Sequence, residues 1–258
     1  MTGDGLYDRI GVGYTGHRQP DPRVAAAIWT ALGEARTVLN VGAGTGAYEP
    51  PDREVVAVEP SEVMIAQRPP GSAPVVRASA EALPFADSSF DAVMAVFSDH
   101  HWSDRTAGLR EARRVARRRV VLLNADPGLI ARYWMTVEYL TRLHELYPAT
   151  VWRWDSPAWK AGLRAQLGPV DFEVVPIPHD CRDGFYPAYW RRPDAYLDPR
   201  VRQNISVFAL LPERHVEDAI GRLARDLDSG AWEERHADLL ALEELDVGCR
   251  VVVTRERG

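Results

Sequence analysis

Val38-Leu39-Asn40-Val41-Gly42-Ala43-Gly44-Thr45-Gly46, followed by Glu54-Val55-Val56-Ala57-Val58-Glu59, decides how this chain folds. Each half is a short apolar run rich in β-branched residues. The first run stops in three glycines spaced two apart, and the second stops in an acid. Strands that are apolar throughout, without in–out alternation, belong to a parallel sheet covered on both faces. Glycines at the carboxyl end of such a strand let a ligand approach the backbone closely. An acid ending the neighbouring strand can accept from the hydroxyls of a ribose. The pattern predicts a site for an adenosine-containing ligand at one edge of the sheet.

Working outward, the same rhythm repeats. Pro20-Asp21-Pro22 starts a helix through Leu32, with Val24, Ala27, Ile28 and Ala31 as its apolar stripe. Ser61 caps a short helix carrying Val63, Met64 and Ile65, which Pro69-Pro70-Gly71 ends. Further strands are read at 75–78, 90–97 and 119–124, with an amphipathic helix over 104–117 between the last two. This is an α/β fold with a parallel sheet and helices on both faces. After residue 124 the rhythm changes to helices rich in Trp and Tyr, interrupted by a sixth strand over 172–177 and closed by a seventh over 248–253.

The reading is one domain: an α/β core over 1–126, completed by 170–181 and 248–258. Helical insertions over 127–169 and 182–247 form a lid. Thirteen aromatic residues fall between Tyr133 and Tyr196. Trp134, Trp152, Trp154, Trp159 and Trp190 among them are read collectively as walls of an apolar pocket under that lid, with core packing the favoured reading for any single one.

At 258 residues the chain can bury a sizeable core, and its net charge of −6 argues against nucleic acid as a partner. The run from Arg113 to Arg119 reads as a solvated helix face. Two cysteines, Cys181 and Cys249, offer neither a disulfide framework nor a cysteine metal site, so no metal is expected. The first residues lack the pattern of a signal peptide, and no apolar run approaches the roughly 18 residues of a membrane span. A cytoplasmic protein without a membrane partner is expected, acting as a monomer or homodimer.

The glycine loop alone leaves the ligand open, because Gly42 to Ala47 also fits the dinucleotide pattern G-x-G-x-x-A. A pyrophosphate, however, needs the free N–H groups of a helix that starts in the loop. Here Glu49, Pro50, Pro51 and Asp52 follow, supplying two carboxylates and withholding two donors. Such a loop suits a cationic ligand without phosphate, which favours S-adenosylmethionine over NAD. Glu49 itself is read as an exposed loop residue, with an approach to the cofactor's ammonium as the alternative.

Four linked motifs, from about Leu6 to Asn124, resemble the small-molecule branch of the class I S-adenosylmethionine-dependent methyltransferases. They are Val38 to Gly46, Val58-Glu59-Pro60-Ser61 with Met64, Ala80 to Phe85 with Asp87, and Phe90-Asp91. The resemblance implies a Rossmann-like seven-stranded sheet whose last strand is antiparallel. It also implies S-adenosylmethionine as cofactor and a small organic molecule or short peptide as methyl acceptor. Carried over, Gly42, Gly44 and Gly46 pass under the methionine moiety, Glu59 accepts from the ribose, and Pro60, Ser61 and Met64 border ribose and adenine. Ser79, Ala80 and Glu81 read the adenine edge, with Ser79 where Asp is commonest. Phe97 and Ser98 lie beneath the methionine part, and Tyr14 and Arg18 form an N-terminal cap.

Methyl transfer to an acceptor that must lose a proton needs a base. His100 and His101, directly after the fourth strand, and His179, after the sixth, are the candidates, with a hydroxyl or carboxylate acceptor as the first expectation. A second cluster of Asp180, Tyr186, Tyr189 and Arg191 beside His179 reads either as pocket lining or as a polar loop with Arg–Asp pairs. Two other readings stay open: a silent scaffold or sensor that binds the cofactor, and an NAD-linked oxidoreductase.

Overall fold

The computed structural model describes residues 19–143 and 156–255. Tyr14, Arg18, Trp152 and Trp154 lie outside the described residues.

Local signals account for the first half of the chain. Asp21 caps α1 (Pro22–Ala31) by accepting from the Arg23 backbone N–H. Pro22 sits in the first turn, where a missing N–H costs nothing. β1 (Thr37–Val41) pairs in parallel with β2 (Glu54–Val58), from Thr37 opposite Glu54 to Val41 opposite Val58. Parallel neighbours in this register end together, so Gly42 and Glu59 emerge side by side. Between them the chain forms no helix, in keeping with Pro50-Pro51. Ser61 caps α2 (Glu62–Ala66), accepting from the Met64 N–H. Then come β3 (Val75–Val76), β4 (Phe90–Val96), α3 (Arg105–Val115), capped by Asp104, and β5 (Ala116–Ala125).

The second half adds α4 (Ser156–Leu167), β6 (Val170–Val174), β7 (Ile177–Pro178), α5 (Glu213–Ser229), β8 (Glu244–Leu245) and β9 (Cys249–Thr254). The main sheet runs β3-β2-β1-β4-β5-β9-β6. β9 is antiparallel to both neighbours, β5 and β6. This is the seven-stranded arrangement with an antiparallel last strand that the motifs implied. The sixth strand is shorter than expected: Pro176 has no N–H for the ladder, and Ile177-Pro178 pairs instead with Glu244-Leu245 in a separate two-stranded ribbon.

The strands alternate between two cores, one on each face of the sheet. Val38, Val121 and Leu123 belong to the core under α1, and Leu39, Val120 and Leu122 to the core under α3. α4 departs from its expected place in the lid. Its Trp159, Leu163 and Leu167 join Leu109, Ala112 and Val252, and the Trp159 ring stacks 5.5 Å from Phe172. Residues 156–167 are thus a covering helix of the sheet.

The chain from Phe185 to Trp232 packs with the single π turn Met135–Tyr139 on the α1 side. Its aromatic side chains fill their own interior. Trp190, Tyr196 and Trp232 have no exposed surface. The Trp134 indole N–H donates to the Trp190 carbonyl at 3.0 Å, and the Trp190 indole to that of Ile177 at 2.9 Å. Trp134 and Trp190 are therefore core residues with satisfied N–H groups, not walls of a pocket. Among the described residues no helix is long and apolar enough to cross a membrane.

Candidate active site

One cavity lies at the carboxyl ends of β1, β2 and β4, as the strand register requires. Gly42 and Gly44 line it, and both adopt positive φ (+68° and +53°). A side chain at Gly42 would strike Ser98, whose Cβ and Oγ lie 2.7 and 2.8 Å from the position of a Cβ atom. Gly46 (φ +91°) sits over a different pair. A Cβ there would meet Glu49 Oε2 at 3.1 Å and Arg68 at 3.2 Å.

Glu59, 6 % exposed, also lines the cavity. Its Oε2 accepts from the Gly44 N–H at 2.8 Å and its Oε1 from the Ser61 N–H at 2.9 Å. The carboxylate therefore fixes the glycine loop and the start of α2 together. A carboxylate oxygen can accept more than one hydrogen bond. Pro60, Ser61 and Met64 form the adjoining wall, with Ser79, Ala80 and Glu81 beyond them. Burial pushes the Glu81 carboxyl up. Hydrogen bonds from the Asp104 N–H, its own N–H, Ser103 and Ser79 outweigh that and hold it below the usual range. Phe97 and Ser98 close the floor, with the Ser98 hydroxyl donating to the Val41 carbonyl at 2.8 Å.

The three histidines separate. His101 lines the cavity. His100 stacks on it, with ring centroids 3.9 Å apart, but its own side chain is about one-third exposed beside Asp99. His179 is not at the cavity. The break after β6 carries it into the ribbon, where its Nε2 lies 3.3 Å from the exposed Glu243. Of the cluster read beside it, Arg191 stays close, pairing with the same Glu243 at 3.7 Å. Asp180 instead pairs with Arg23, and Tyr186 bonds Thr136 in the aromatic core.

Glu49 is also corrected. It is not exposed: the buried Arg68 guanidinium meets both its oxygens at 2.8 and 2.9 Å, and the Asn40 amide donates to it at 3.2 Å. In the arginine run Arg117 and Arg118 are exposed, whereas Arg114 holds the back of the sheet. Arg114 binds Glu111, Asp87 and the carbonyls of Leu83 and Phe85.

Sequence reasoning missed Tyr48 and Trp102 in the cavity lining. Trp102 has one readable signal: Gly108 sits beneath it, and a Cβ there would lie 2.4 Å from the ring. Tyr48 has none, because its φ of +66° follows no composition rule.

An α/β sheet with this strand order and a glycine loop braced by the acid of the next strand defines a Rossmann-like transferase fold. Comparison with known proteins agrees. A methyltransferase domain model matches residues 39–123. A solved structure from Anabaena variabilis, described as a methyltransferase of an antibiotic biosynthesis pathway, is 31 % identical with a TM-score of 0.80. The match covers 92 % of this chain and 98 % of that one. The uncharacterized methyltransferase YcgJ of Bacillus subtilis is 29 % identical over 55 % of this chain and 62 % of its own length. The demethylmenaquinone methyltransferase of Thermotoga maritima is 34 % identical over 37 % of this chain and 46 % of its own. Matched curated relatives are spanned over 32 % to 62 % of their length. The chain belongs to the S-adenosylmethionine-dependent methyltransferases. The dinucleotide reading of the glycine loop is thereby set aside.

Proposed function

We propose that this chain transfers the methyl group of S-adenosylmethionine to an oxygen of a small organic acceptor, with a short peptide as the other acceptor class. The observation that carries this reading is Glu59, buried and fixed by two backbone N–H groups, facing a cavity floored by Gly42 and Gly44. It presents fixed acceptors to a ribose beside a loop with no side chains in the way. The residues fit the cofactor. Gly42 and Gly44 leave room for its methionine part above Phe97 and Ser98, while Gly46 turns the loop over the Glu49–Arg68 pair. Pro60, Ser61 and Met64 border the ribose, and Ser79, Ala80 and Glu81 border the adenine. When bound, the cofactor supplies an electrophilic methyl group on a sulfonium that is already a good leaving group.

The chain's own work is positioning and proton removal. His101 is the histidine at the cavity, and imidazole as a class changes charge near neutral pH. It takes the proton that the acceptor loses, while His100 holds its ring by stacking. The setting proposed is cytoplasmic, as a monomer or homodimer, in keeping with two buried free thiols.

Labelled-methyl transfer into a panel of hydroxyl and carboxylate compounds tests the reading. His101→Ala is expected to lower the rate at least about tenfold, His100→Ala to lower it less through its contact with the His101 ring, and His179→Ala to leave it near wild type. An unchanged rate in His101→Ala removes the base. Tight binding of S-adenosylhomocysteine with no transfer to any acceptor would favour a silent scaffold.

A further inference from the structure

Three non-glycine residues among those described adopt positive φ, and two of them, Tyr48 (+66°) and Phe97 (+48°), line the cavity. Side chains resist this backbone region, so such residues persist only where their surroundings fix them. Both are held by one short segment of the lid. The Tyr48 hydroxyl donates to Asp183 Oδ2 at 2.8 Å, across 135 residues of chain. The Phe97 ring packs 5.0 Å from that of Phe185. Asp183 is 1 % and Phe185 6 % exposed, so neither contact is a surface accident.

The rest of Tyr48 is equally committed. Its carbonyl accepts from the Trp29 indole at 2.9 Å, and its hydroxyl accepts from the Asp21 N–H at 3.4 Å. Asp21 in turn accepts from the Arg182 N–H at 3.1 Å, one residue before Asp183. The glycine loop, the start of α1 and the start of the lid therefore meet in one buried hydrogen-bonded knot. No helix follows the glycine loop to hold its far end, and this knot stands in that place.

We infer that Asp183 and Phe185 are positioning residues for methyl transfer. Through Tyr48 and Phe97 they hold one end of the cofactor cavity in its binding shape, so seating of the lid and binding of the cofactor are coupled. The inference rests on the proposed S-adenosylmethionine site. Tyr48 belongs to the core under α1, while Ala80, at the predicted adenine end, belongs to the core under α3. The coupling is thus specific to the part of the cofactor remote from the adenine.

A double-mutant cycle on the full chain, read by calorimetric titration, tests this. S-adenosylhomocysteine and 5′-methylthioadenosine, which lacks the amino-acid part, are the two probes. Tyr48→Phe and Asp183→Asn are each expected to weaken S-adenosylhomocysteine about tenfold, and the double variant also about tenfold. Methylthioadenosine should bind all three within about twofold of wild type. Phe185→Leu, which leaves the carboxylate in place, is a second arm should Asp183→Asn fail to fold, with the same selective loss expected. Single losses that multiply to about a hundredfold, unchanged affinity in the single variants, or equal loss of both probes would each overturn the inference. Wild-type protein that binds neither probe would instead overturn the cofactor reading beneath it.

Discussion

Replacing Glu59 by Gln changes no shape and removes one charge, and the structure fixes what that should cost. Both carboxylate oxygens accept from backbone N–H groups, of Gly44 at 2.8 Å and Ser61 at 2.9 Å. A side-chain amide has one acceptor oxygen, so whichever way Gln turns, its NH2 faces one of these donors. Losing a hydrogen bond to a charged group costs about 1.5–3 kcal/mol, and the stranding of its buried donor puts the loss at the upper part of that range or just above it. The net loss is therefore about 2–4 kcal/mol. For a chain of this size that corresponds to a melting temperature lower by roughly 5–15 °C. Thermal unfolding measured with and without S-adenosylhomocysteine reads both consequences. The variant should melt lower alone and gain less from the ligand, with calorimetric affinity down at least about tenfold. A melting temperature within about 1 °C of wild type would refute the brace. A lower melting temperature with unchanged affinity would leave Glu59 as a brace and end its assignment to the ribose.

Two further predictions follow from the same contacts. Gly42→Ala should damage ligand binding and stability more than Gly44→Ala. Both incur the left-handed penalty of about 1–2 kcal/mol, but a Cβ at Gly42 meets the tethered Ser98, whereas at Gly44 it meets only the flexible tip of Met64 at 3.2 Å. Urea unfolding of the two variants decides, and equal losses would show that backbone strain alone matters. Burial pushes the Asp21 carboxyl up, but Arg23 and the Arg182 and Arg23 N–H groups outweigh it and hold the carboxyl well below its usual range. A lowered folded-state value stabilises fully above the unfolded value near pH 4 and fades as the pH falls through the folded one. Asp21→Asn should therefore lag wild type most near pH 7, and the gap should narrow below about pH 4. A gap in unfolding free energy that does not change with pH would refute this.

The donor side of the site was legible because it is local chemistry. Three glycines and an acid one strand away are forced by backbone conformation and charge, and parallel register brings them together. His179 was misplaced for a reason the sequence also contained. A sixth strand running through Ile177 would have delivered it to the cavity edge, but Pro176 ends the ladder and the chain turns into a ribbon with β8. The lid aromatics show a limit of another kind. The sequence leaves Trp134 and Trp190 open between pocket wall and core because a core and an apolar pocket bury the same side chains. Only the partners of their N–H groups distinguish the two. Tyr48 left no trace in the sequence, since its role comes from a hydroxyl meeting Asp183, far along the chain.

The structure also divides the argument that first favoured S-adenosylmethionine. It combined charge, from Glu49 and Asp52, with missing donors, from Pro50 and Pro51. The charge half fails for Glu49, because Arg68 neutralises it and donates to the Gly44 carbonyl at 3.2 Å as well. Asp52 is largely exposed and gives little field at the cavity. The donor half survives, because no helix begins in the loop and the N–H groups of Gly42, Ala43, Gly44 and Gly46 are already bonded within the protein. Glu49, Arg68, Glu59 and Trp29 instead brace the loop through side chains, each fixed by a different element. A loop held this way depends on contacts spread across the fold. Single substitutions at those braces should therefore perturb cofactor binding before they unfold the sheet.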